Sequence, residues 1–286
     1  QLVGGLPLVL ERKPWSRAGV RRLLMWGGDG GALGLEGEIP LLGDDATRLH
    51  TARGLFGELR GALRHRFDRL ALGLLRSDGA SLGPLRAALP EARWSRSTMR
   101  SHVADLSVGR AAYLASRSGG RLREIRRLGR RFAAAHALRW EEPTRLSPEQ
   151  VQRIVALHMA RQRDLTSRGW RRDTVFEKDH YRDAVLTLLE RAADAVRTRH
   201  LLLLADEQIV GFLLGFREGG TVLAFLTAVD DGFLAFGPGG VLFWEYMERA
   251  LSAGDIQRIE FGVGTTFVKD TVSNAGEAPV EASWDP

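Results

Sequence analysis

The sequence predicts an α/β (α+β) protein of two halves, each a mixed, largely antiparallel sheet flanked by helices. The segment Thr221–Val229 (TVLAFLTAV) is almost continuously apolar, as expected of an interior strand covered on both faces. Before it, Asp206 and Glu207 separate two apolar segments, which indicates an antiparallel hairpin. Residues 1–115 show a similar order of strands and helices without a residue-level repeat.

Composition limits the classes of function. The 286 residues allow one large or two modest domains, and the net charge of +6 comes almost entirely from arginine. The chain has no cysteine, which excludes disulfides and thiolate chemistry, and no histidine has a partner at metal-ligand spacing, so no metal is expected. No apolar run reaches the length of a membrane span, and we expect a cytoplasmic protein.

The first half is assigned to residues 1–115. Its patterns predict strands at 2–10, 20–26 and 67–75, helices at 44–63 and 82–89, and a strand region at 93–106. A glycine-rich segment at 27–31 could bind phosphate, but no helical pattern follows it directly. We therefore favour a solvated connection between strands.

An arginine-rich helix is predicted at 116–135, within a connecting segment at 116–137. Its apolar stripe contains Leu122, Ile125, Leu128, Gly129 and Phe132. The arginines facing away could bind RNA or an acidic partner, or form the basic face of an interdomain helix. The second interpretation is favoured, because no aromatic residues alternate with the arginines as a base-stacking site requires.

The second half is assigned to residues 138–286. A capping box of Ser147 and Gln150 begins a helix that carries His158 on its apolar side. A packed histidine is the favoured interpretation, since a lone histidine on a helix is more often core than catalytic. A second helix is expected at 179–193, and the tail at 277–286 either adds a last strand or is partly disordered.

The turn Phe236-Gly237-Pro238-Gly239-Gly240 stands between the strand Thr221–Val229 and a helical pattern at 241–251. Glycines before a helix let the backbone approach a ligand, and the first helical N–H groups carry the positive end of the helix dipole. Such a turn suits an anion, in particular a pyrophosphate. It is equally the pattern of a tight connection.

This region resembles the acetyltransferases of the GNAT superfamily that include bacterial cellulose-biosynthesis-type proteins. Their pattern is a strand, an acidic residue, a Ser-Pro-Gly turn, a helix, an Asp-Phe-Gly-x-Gly segment and a lysine. The matching positions are Asp230, Pro238, Gly239, Glu260, Phe261, Gly262, Val263, Gly264 and Lys269. Gly237 replaces the usual serine, and Val268 stands where a tyrosine is common.

The resemblance implies two GNAT-like halves and acetyl-CoA or another acyl-CoA as co-substrate. It implies that the strand, through Thr227, Ala228 and Val229, lines the pantetheine arm. It further implies that the turn holds the pyrophosphate, through Gly237, Gly239, Gly240 and Val241. The loop at Trp170 is expected to shape the acceptor site.

Acyl transfer from a thioester requires a base for the amine and donors for the developing oxyanion. Asp230 and Glu260 are the candidate bases, because both stand at strand positions facing the expected cleft. Asp230 is equally explained as a turn residue before Gly232, and Glu260 as a strand residue paired with Arg258. Lys269 is expected to bind a phosphate or the acceptor, or to be a solvated charge.

The predicted function is an acyl-CoA-dependent N-acyltransferase that acts on an amine of a small molecule or amino sugar, with polysaccharide metabolism as the context that the resemblance suggests. One alternative is an aminoacyl-tRNA-dependent transferase of the peptidoglycan-bridge type, whose arginine surface would bind tRNA. Another is a non-catalytic, CoA-binding member of a polysaccharide-synthesis assembly. The acceptor and the oligomeric state are not readable from the sequence.

Overall fold

The computed structural model describes residues 8–12, 21–25, 39, 41–169, 175–177, 179–191, 197–264 and 266–285. The segment at 27–31 and Trp170 lie outside these ranges. The chain forms two compact units: Gln1–Ser101 with Glu277–Pro286, and His102–Gly276. Among the described helices, none is both long and apolar enough to cross a membrane.

The first unit contains a five-stranded mixed sheet with the order β1-β2-β3-β11-β4. Its elements are β1 (Leu8–Arg12), β2 (Arg21–Met25), α1 (Asp45–Arg60), a 3-10 turn (Arg64–Arg66), β3 (Arg69–Leu75), α2 (Leu82–Ala88), β4 (Arg93–Arg96) and β11 (Val280–Trp284). The pair β2 and β3 is parallel, and the other neighbours are antiparallel. The core includes Phe56, Phe67, Leu72 and Trp284.

The second unit contains a six-stranded sheet with the order β5-β10-β9-β8-β7-β6. Its strands are β5 (Ser101–Asp105), β6 (Leu138–Glu141), β7 (Leu201–Ala205), β8 (Gln208–Glu218), β9 (Thr221–Val229) and β10 (Arg258–Val263). Its helices are α3 (Arg110–Ala115), α4 (Gly119–Ala135), α5 (Pro148–Ser167), α6 (Asp179–Arg191), α7 (Pro238–Ala253) and α8 (Phe267–Val272), with a 3-10 helix at Asp231–Phe236.

The sheet of the second unit consists of a four-stranded antiparallel meander, extended by β10 and then by β5 at the edge. Strands β6 to β9 pair antiparallel in chain order, and β10 joins β9 in parallel after the crossover through α7. A parallel pair needs such a crossover, which explains why a long helix stands between the two strands. The predicted α+β class, with mixed and largely antiparallel sheets flanked by helices, is confirmed.

The unit boundaries differ from the predicted ranges 1–115, 116–137 and 138–286. The division falls after Ser101, and the tail returns to the first unit, where β11 lies between β3 and β4. Helix α4 falls within the second unit, where its stripe packs into the core beside α7. The buried ring of Phe132 stacks on Phe236 at 4.9 Å, which ties α4 to the turn before α7.

A β-bulge interrupts the pairing of β8 with β9. Leu214 faces Leu226 but Gly215 faces Ala224, so Phe225 is an extra residue in β9. Such an insertion bends the strand and reverses which side chains face each side of the sheet beyond it. Gly215 is required here: a Cβ at this position would lie 2.3 Å from Tyr246 Oη and 2.6 Å from the Arg199 carbonyl oxygen. Tyr246 donates a hydrogen bond to that carbonyl at 2.8 Å.

We predict that Gly215→Ala destabilises the protein by about 1–3 kcal/mol or more, because the added methyl must displace backbone and the Tyr246 hydroxyl. Gly57→Ala is the matched control, since no atom lies within 4 Å of its added Cβ and the position is inside α1. It should stabilise by about 0.4–1 kcal/mol. Chemical denaturation measures both; equal midpoints for the parent and Gly215→Ala would contradict the packing at the bulge.

His200 makes the stability of the second unit depend on pH. Its side chain is buried, its Nδ1 accepts the Gly215 N–H at 3.3 Å, and desolvation lowers its pKa to about 4. An unfolded histidine titrates near 6.5. The folded state therefore binds fewer protons than the unfolded state between these values, and the stability present above pH 6.5 is lost as the pH falls toward 4.

We expect the free energy of unfolding to fall over this window, by at most about 1.4 kcal/mol per pH unit for His200. His200→Gln supplies an acceptor that does not titrate, so it should reduce this slope. His50→Gln, at an exposed position of α1, is the control and should leave the slope as in the parent. Denaturation curves at several pH values give the dependence of the free energy of unfolding on pH. Identical slopes in the parent and His200→Gln would refute the role of His200 in that dependence.

Candidate active site

A cleft opens where β9 and β10 part. Their parallel pairing extends from Thr221↔Arg258 to Leu223↔Glu260, whereas β9 continues to Val229 and β10 to Val263. Beyond Leu223, the edge of β9 that faces β10 has no strand partner in the described part of the chain. Its main-chain N–H and C=O groups are therefore available to a ligand that can pair with an exposed strand edge.

A cavity of about 510 Å³ occupies this region, a size suited to a small ligand or part of a cofactor. One wall consists of Thr227, Ala228 and Val229 at the end of β9, with Gly239 and Phe243 from the start of α7. The three strand residues and Gly239 were assigned to cofactor binding from the sequence, and the structure brings these four together. Their role in binding stays a prediction.

The opposite wall comes from α5 and from the residues around α8. Arg161, Gln162 and Leu165 line it from α5. From the other side come Thr266, Phe267, Val268 and Lys269. The side chain of Phe267 is largely exposed, and the Arg121 guanidinium lies 5.1 Å from its ring centroid.

The N-terminus of α7 presents donors without partners. Gly237 has a left-handed backbone (φ +60°), and Pro238 occupies the first helical position. The described residues offer no backbone acceptor to the N–H groups of Gly239 and Gly240, and no side chain caps this helix. By contrast, the Val241 N–H donates to the Gly237 carbonyl at 3.2 Å, so it is already used within the helix.

Three of the predicted cofactor residues pack against α4 instead of lining the cavity. A Cβ on Gly237 would lie 2.8 Å from Leu128 Cδ1, and one on Gly240 would lie 3.3 Å from Ile125 Cγ1. A Cβ on Gly129 of α4 would lie 3.7 Å from both methyl groups of Val241. The small residues thus allow the two helices to approach closely, which fixes the direction of α7.

Asp230 follows β9 directly and has partners for both carboxylate oxygens. Its Oδ1 accepts the Gly232 N–H at 2.9 Å, and its Oδ2 pairs with Arg153 Nη2 at 2.8 Å. It is absent from the cavity lining. Its assignment as general base stays a prediction, and that role requires Arg153 to release the carboxylate.

Glu260 is 6 % exposed and pairs with Arg258 Nε at 2.8 Å. It stands at the last paired position of β10, opposite Leu223. The phenyl ring of its neighbour Phe261 packs on Phe243, and side chains alternate along a strand. Glu260 is therefore directed away from α7, and its catalytic assignment also stays a prediction.

Lys269 is placed at the cavity, where its Nζ donates to the Val263 carbonyl at 2.9 Å. It therefore links α8 to the end of β10. Its expected role toward a phosphate or an acceptor stays a prediction, and Trp170 lies outside the described residues.

Sequence reasoning missed Arg161 and Gln162, although a signal was present. The stripe that contains His158 continues at spacings of four and seven to Gln162 and Leu165. Arg161 Nη1 pairs with Asp164 at 2.8 Å and with Asp231 at 2.9 Å, which joins α5 to the 3-10 helix after β9. His158 is buried, as the favoured interpretation predicted, and desolvation lowers its pKa to about 4.

Comparison with protein families identifies the second unit. Residues 118–270, more than half of the chain, match the acetyltransferase (GNAT) domain. The chain belongs to the GNAT family. This family is one of acyltransferases that generally use acyl-CoA. The matched range contains α4 through most of α8, and thus every element that lines the cavity.

Solved structures extend the likeness in fold beyond the matched GNAT domain. FemX is 9% identical, covering 100% of this chain and 85% of that one, with a TM-score of 0.61. L-PGS from Bacillus licheniformis is 12% identical, covering 96% and 80%, with a TM-score of 0.55. The C-terminal domain of a putative lysylphosphatidylglycerol synthetase from Agrobacterium fabrum is 15% identical, covering 96% and 84%, with a TM-score of 0.54.

At these identities the likeness shows the fold alone. No curated protein matches the chain. Among the described residues, no group of three or more His, Asp or Glu side chains is placed to hold a metal ion.

The variant Asp230→Asn separates a base from a turn anchor. A lost general base lowers acyl transfer by about 100-fold at unchanged acetyl-CoA affinity. A lost anchor lowers the free energy of unfolding by about 1 kcal/mol, because the ion pair with Arg153 disappears. Because Asp230 is a proposed base and asparagine keeps the shape of the turn, we predict the first result, measured by acylation kinetics beside calorimetry; unchanged acyl transfer would leave Asp230 as a turn residue. Asp45→Asn, which removes an exposed ion pair with Arg48, is the control.

Proposed function

We propose that the second unit is an acyl-CoA-dependent N-acyltransferase that transfers an acetyl or other acyl group to the amine of a small molecule or amino sugar. The observation that carries this proposal is the shared cavity. It joins the free edge of β9 to the uncapped start of α7 within the part of the chain that matches the GNAT domain.

The pyrophosphate of the cofactor is assigned to the start of α7. The N–H groups of Gly239 and Gly240 supply donors, and the helix dipole favours a negative charge at that end. The Val241 N–H already donates to the Gly237 carbonyl. The pyrophosphate contacts predicted for Val241 are therefore assigned to Gly239 and Gly240. Gly237 contributes indirectly, by letting α7 pack closely on α4, and Gly240 has this packing role beside its N–H donor.

The pantetheine arm is assigned to β9. Its amide groups can pair with the main chain of Thr227, Ala228 and Val229, as an added strand pairs with a sheet edge. The bulge at Phe225 bends β9 away from β10 just before these residues, which makes room for the arm. The thioester then lies deeper in the cavity, between β9 and the α5 wall.

In the transfer, the amine nitrogen bonds to the thioester carbon and the carbon–sulfur bond breaks. The proton that the nitrogen loses ends on the CoA sulfur, so CoA leaves as the thiol. Main-chain N–H groups of β9 are suited to stabilise the oxyanion that forms between these steps. Asp230 and Glu260 remain the proposed bases, each paired with an arginine in this structure.

Aminoacyl-tRNA is the second candidate donor. It is favoured by Arg121, Arg123 and Arg130, which lie on the exposed face of α4 and form no ion pair with the described acidic groups. Such a surface suits a phosphate backbone, and binding to it weakens as salt rises.

We further propose that the first unit is a second GNAT-like half, on the basis of its mixed sheet and flanking helices.

We predict that Gly239→Leu weakens acetyl-CoA binding about tenfold or more, because the side chain occupies the approach to the free N–H groups. The nearest atom to an added Cβ is Val229 Cγ1 at 4.0 Å, so the fold should tolerate the change. Gly120→Leu is the matched control, because Gly120 is the second residue of α4 and the nearest atom to an added Cβ is Ser118 Oγ at 3.9 Å. Isothermal titration calorimetry measures both affinities.

Equal acetyl-CoA affinity in the parent and Gly239→Leu would place the cofactor elsewhere. If the parent binds aminoacyl-tRNA in a salt-dependent manner and no acyl-CoA, the second candidate replaces the first. Binding of acetyl-CoA without turnover of any amine would instead indicate a non-catalytic, CoA-binding member of an assembly.

A further inference from the structure

A buried polar pair adjoins the cavity on the α5 side. Gln162 lines the cavity and is 9 % exposed, and His158, one turn earlier, is 5 % exposed. Gln162 Nε2 lies 3.5 Å from His158 Nε2, a long contact. In the part of the chain that the structure describes, Gln162 Oε1 and His158 Nδ1 have no hydrogen-bond partner.

Such an arrangement is costly without a ligand. A buried carbonyl oxygen that loses its hydrogen bond to water and gains no other destabilises the fold, so most buried polar atoms in native proteins have a partner. The unpaired acceptor belongs to a residue of the cavity wall and is therefore suited to a ligand that donates a hydrogen bond.

One arrangement of the pair leaves the carbonyl group of Gln162 free. If Nε2 donates to His158 Nε2, the imidazole carries its proton on Nδ1 and the amide is held with Oε1 unpaired. Less than 1 Å² of Oε1 is exposed. The last torsion of a glutamine side chain is soft, so a small rotation turns Oε1 toward the cavity.

Resting on the proposed function, we propose that Gln162 is the residue that binds the acceptor amine, with Oε1 accepting its N–H and His158 acting as a positioning residue. The acyl-CoA thioester presents no N–H at its reacting end, whereas an amine does. A neutral amine held by a carbonyl oxygen also keeps its lone pair for attack on the thioester carbon.

The charges on the wall define the class of acceptor. Lys269 brings its ammonium group to the cavity, the charge of Arg161 is shared with Asp164 and Asp231, and no carboxylate is among the described lining residues. A second positive charge on the acceptor is therefore unfavourable there, whereas a carboxylate is favourable. The acceptor that fits is a primary amine carrying a carboxylate or no further charge, rather than a polyamine.

The test compares the parent with Gln162→Leu, using Gln152→Leu as a control at an exposed position of the same helix. Acetyl-CoA is the donor, and the acceptors are β-alanine, 3-aminopropanol, 1,3-diaminopropane and glucosamine. In the parent, we expect the diamine to be the poorest of the three-carbon acceptors. In Gln162→Leu, acetyl-CoA affinity by calorimetry is retained and KM for the amine rises about tenfold or more.

A KM for Gln162→Leu within about twofold of the parent's overturns the assignment, as does a parent that binds acetyl-CoA and acylates none of the four amines. A parent that binds no acyl-CoA overturns the proposed function itself, so the two failures are distinguishable. If Gln162→Leu does not fold, Gln162→Glu replaces it. Its carboxylate should shift the preference toward 1,3-diaminopropane, and an unchanged preference refutes the role of Gln162.

Discussion

The early end of the pairing between β9 and β10 is the constraint on which the second unit depends. Three paired positions hold the strands together at one end, and the bulge at Phe225 interrupts β9 just beyond them. The gap cannot close, because α7 fills one side and α5 the other. The same divergence leaves a strand edge unpaired and brings the start of α7 to it, so the cavity is a consequence of the topology.

Close packing of α4 on α7 then sets the direction of that helix. Glycines at 237 and 240 remove the side chains that would separate the helices, and Gly129 does the same from α4. Other helices of this unit carry side-chain caps, such as Ser118 on α4 and Ser147 on α5. The start of α7 has none, which leaves its donors for a ligand.

Local patterns made much of the second unit predictable. The apolar run at Thr221–Val229, the hairpin before it and the glycine turn each have a signal within a few residues, and all three elements are present. The return of β11 to the first unit and the place of α4 had no local signal, because they depend on contacts between residues far apart. The cavity wall at Gln162 was missed for a related reason. Helical spacing shows that a residue is on the buried side of its helix, but not whether that residue packs against other side chains or lines a cavity.

The position of β11 has a consequence for how the chain folds during synthesis. This strand lies between β3 and β4, yet it leaves the ribosome only after all of His102–Gly276. The second unit can form while translation continues, but the first must wait with an incomplete sheet, so the usual order of domain folding is reversed. During that interval the edges of β3 and β4 are open to pairing with other chains, so the delay exposes the first unit to aggregation.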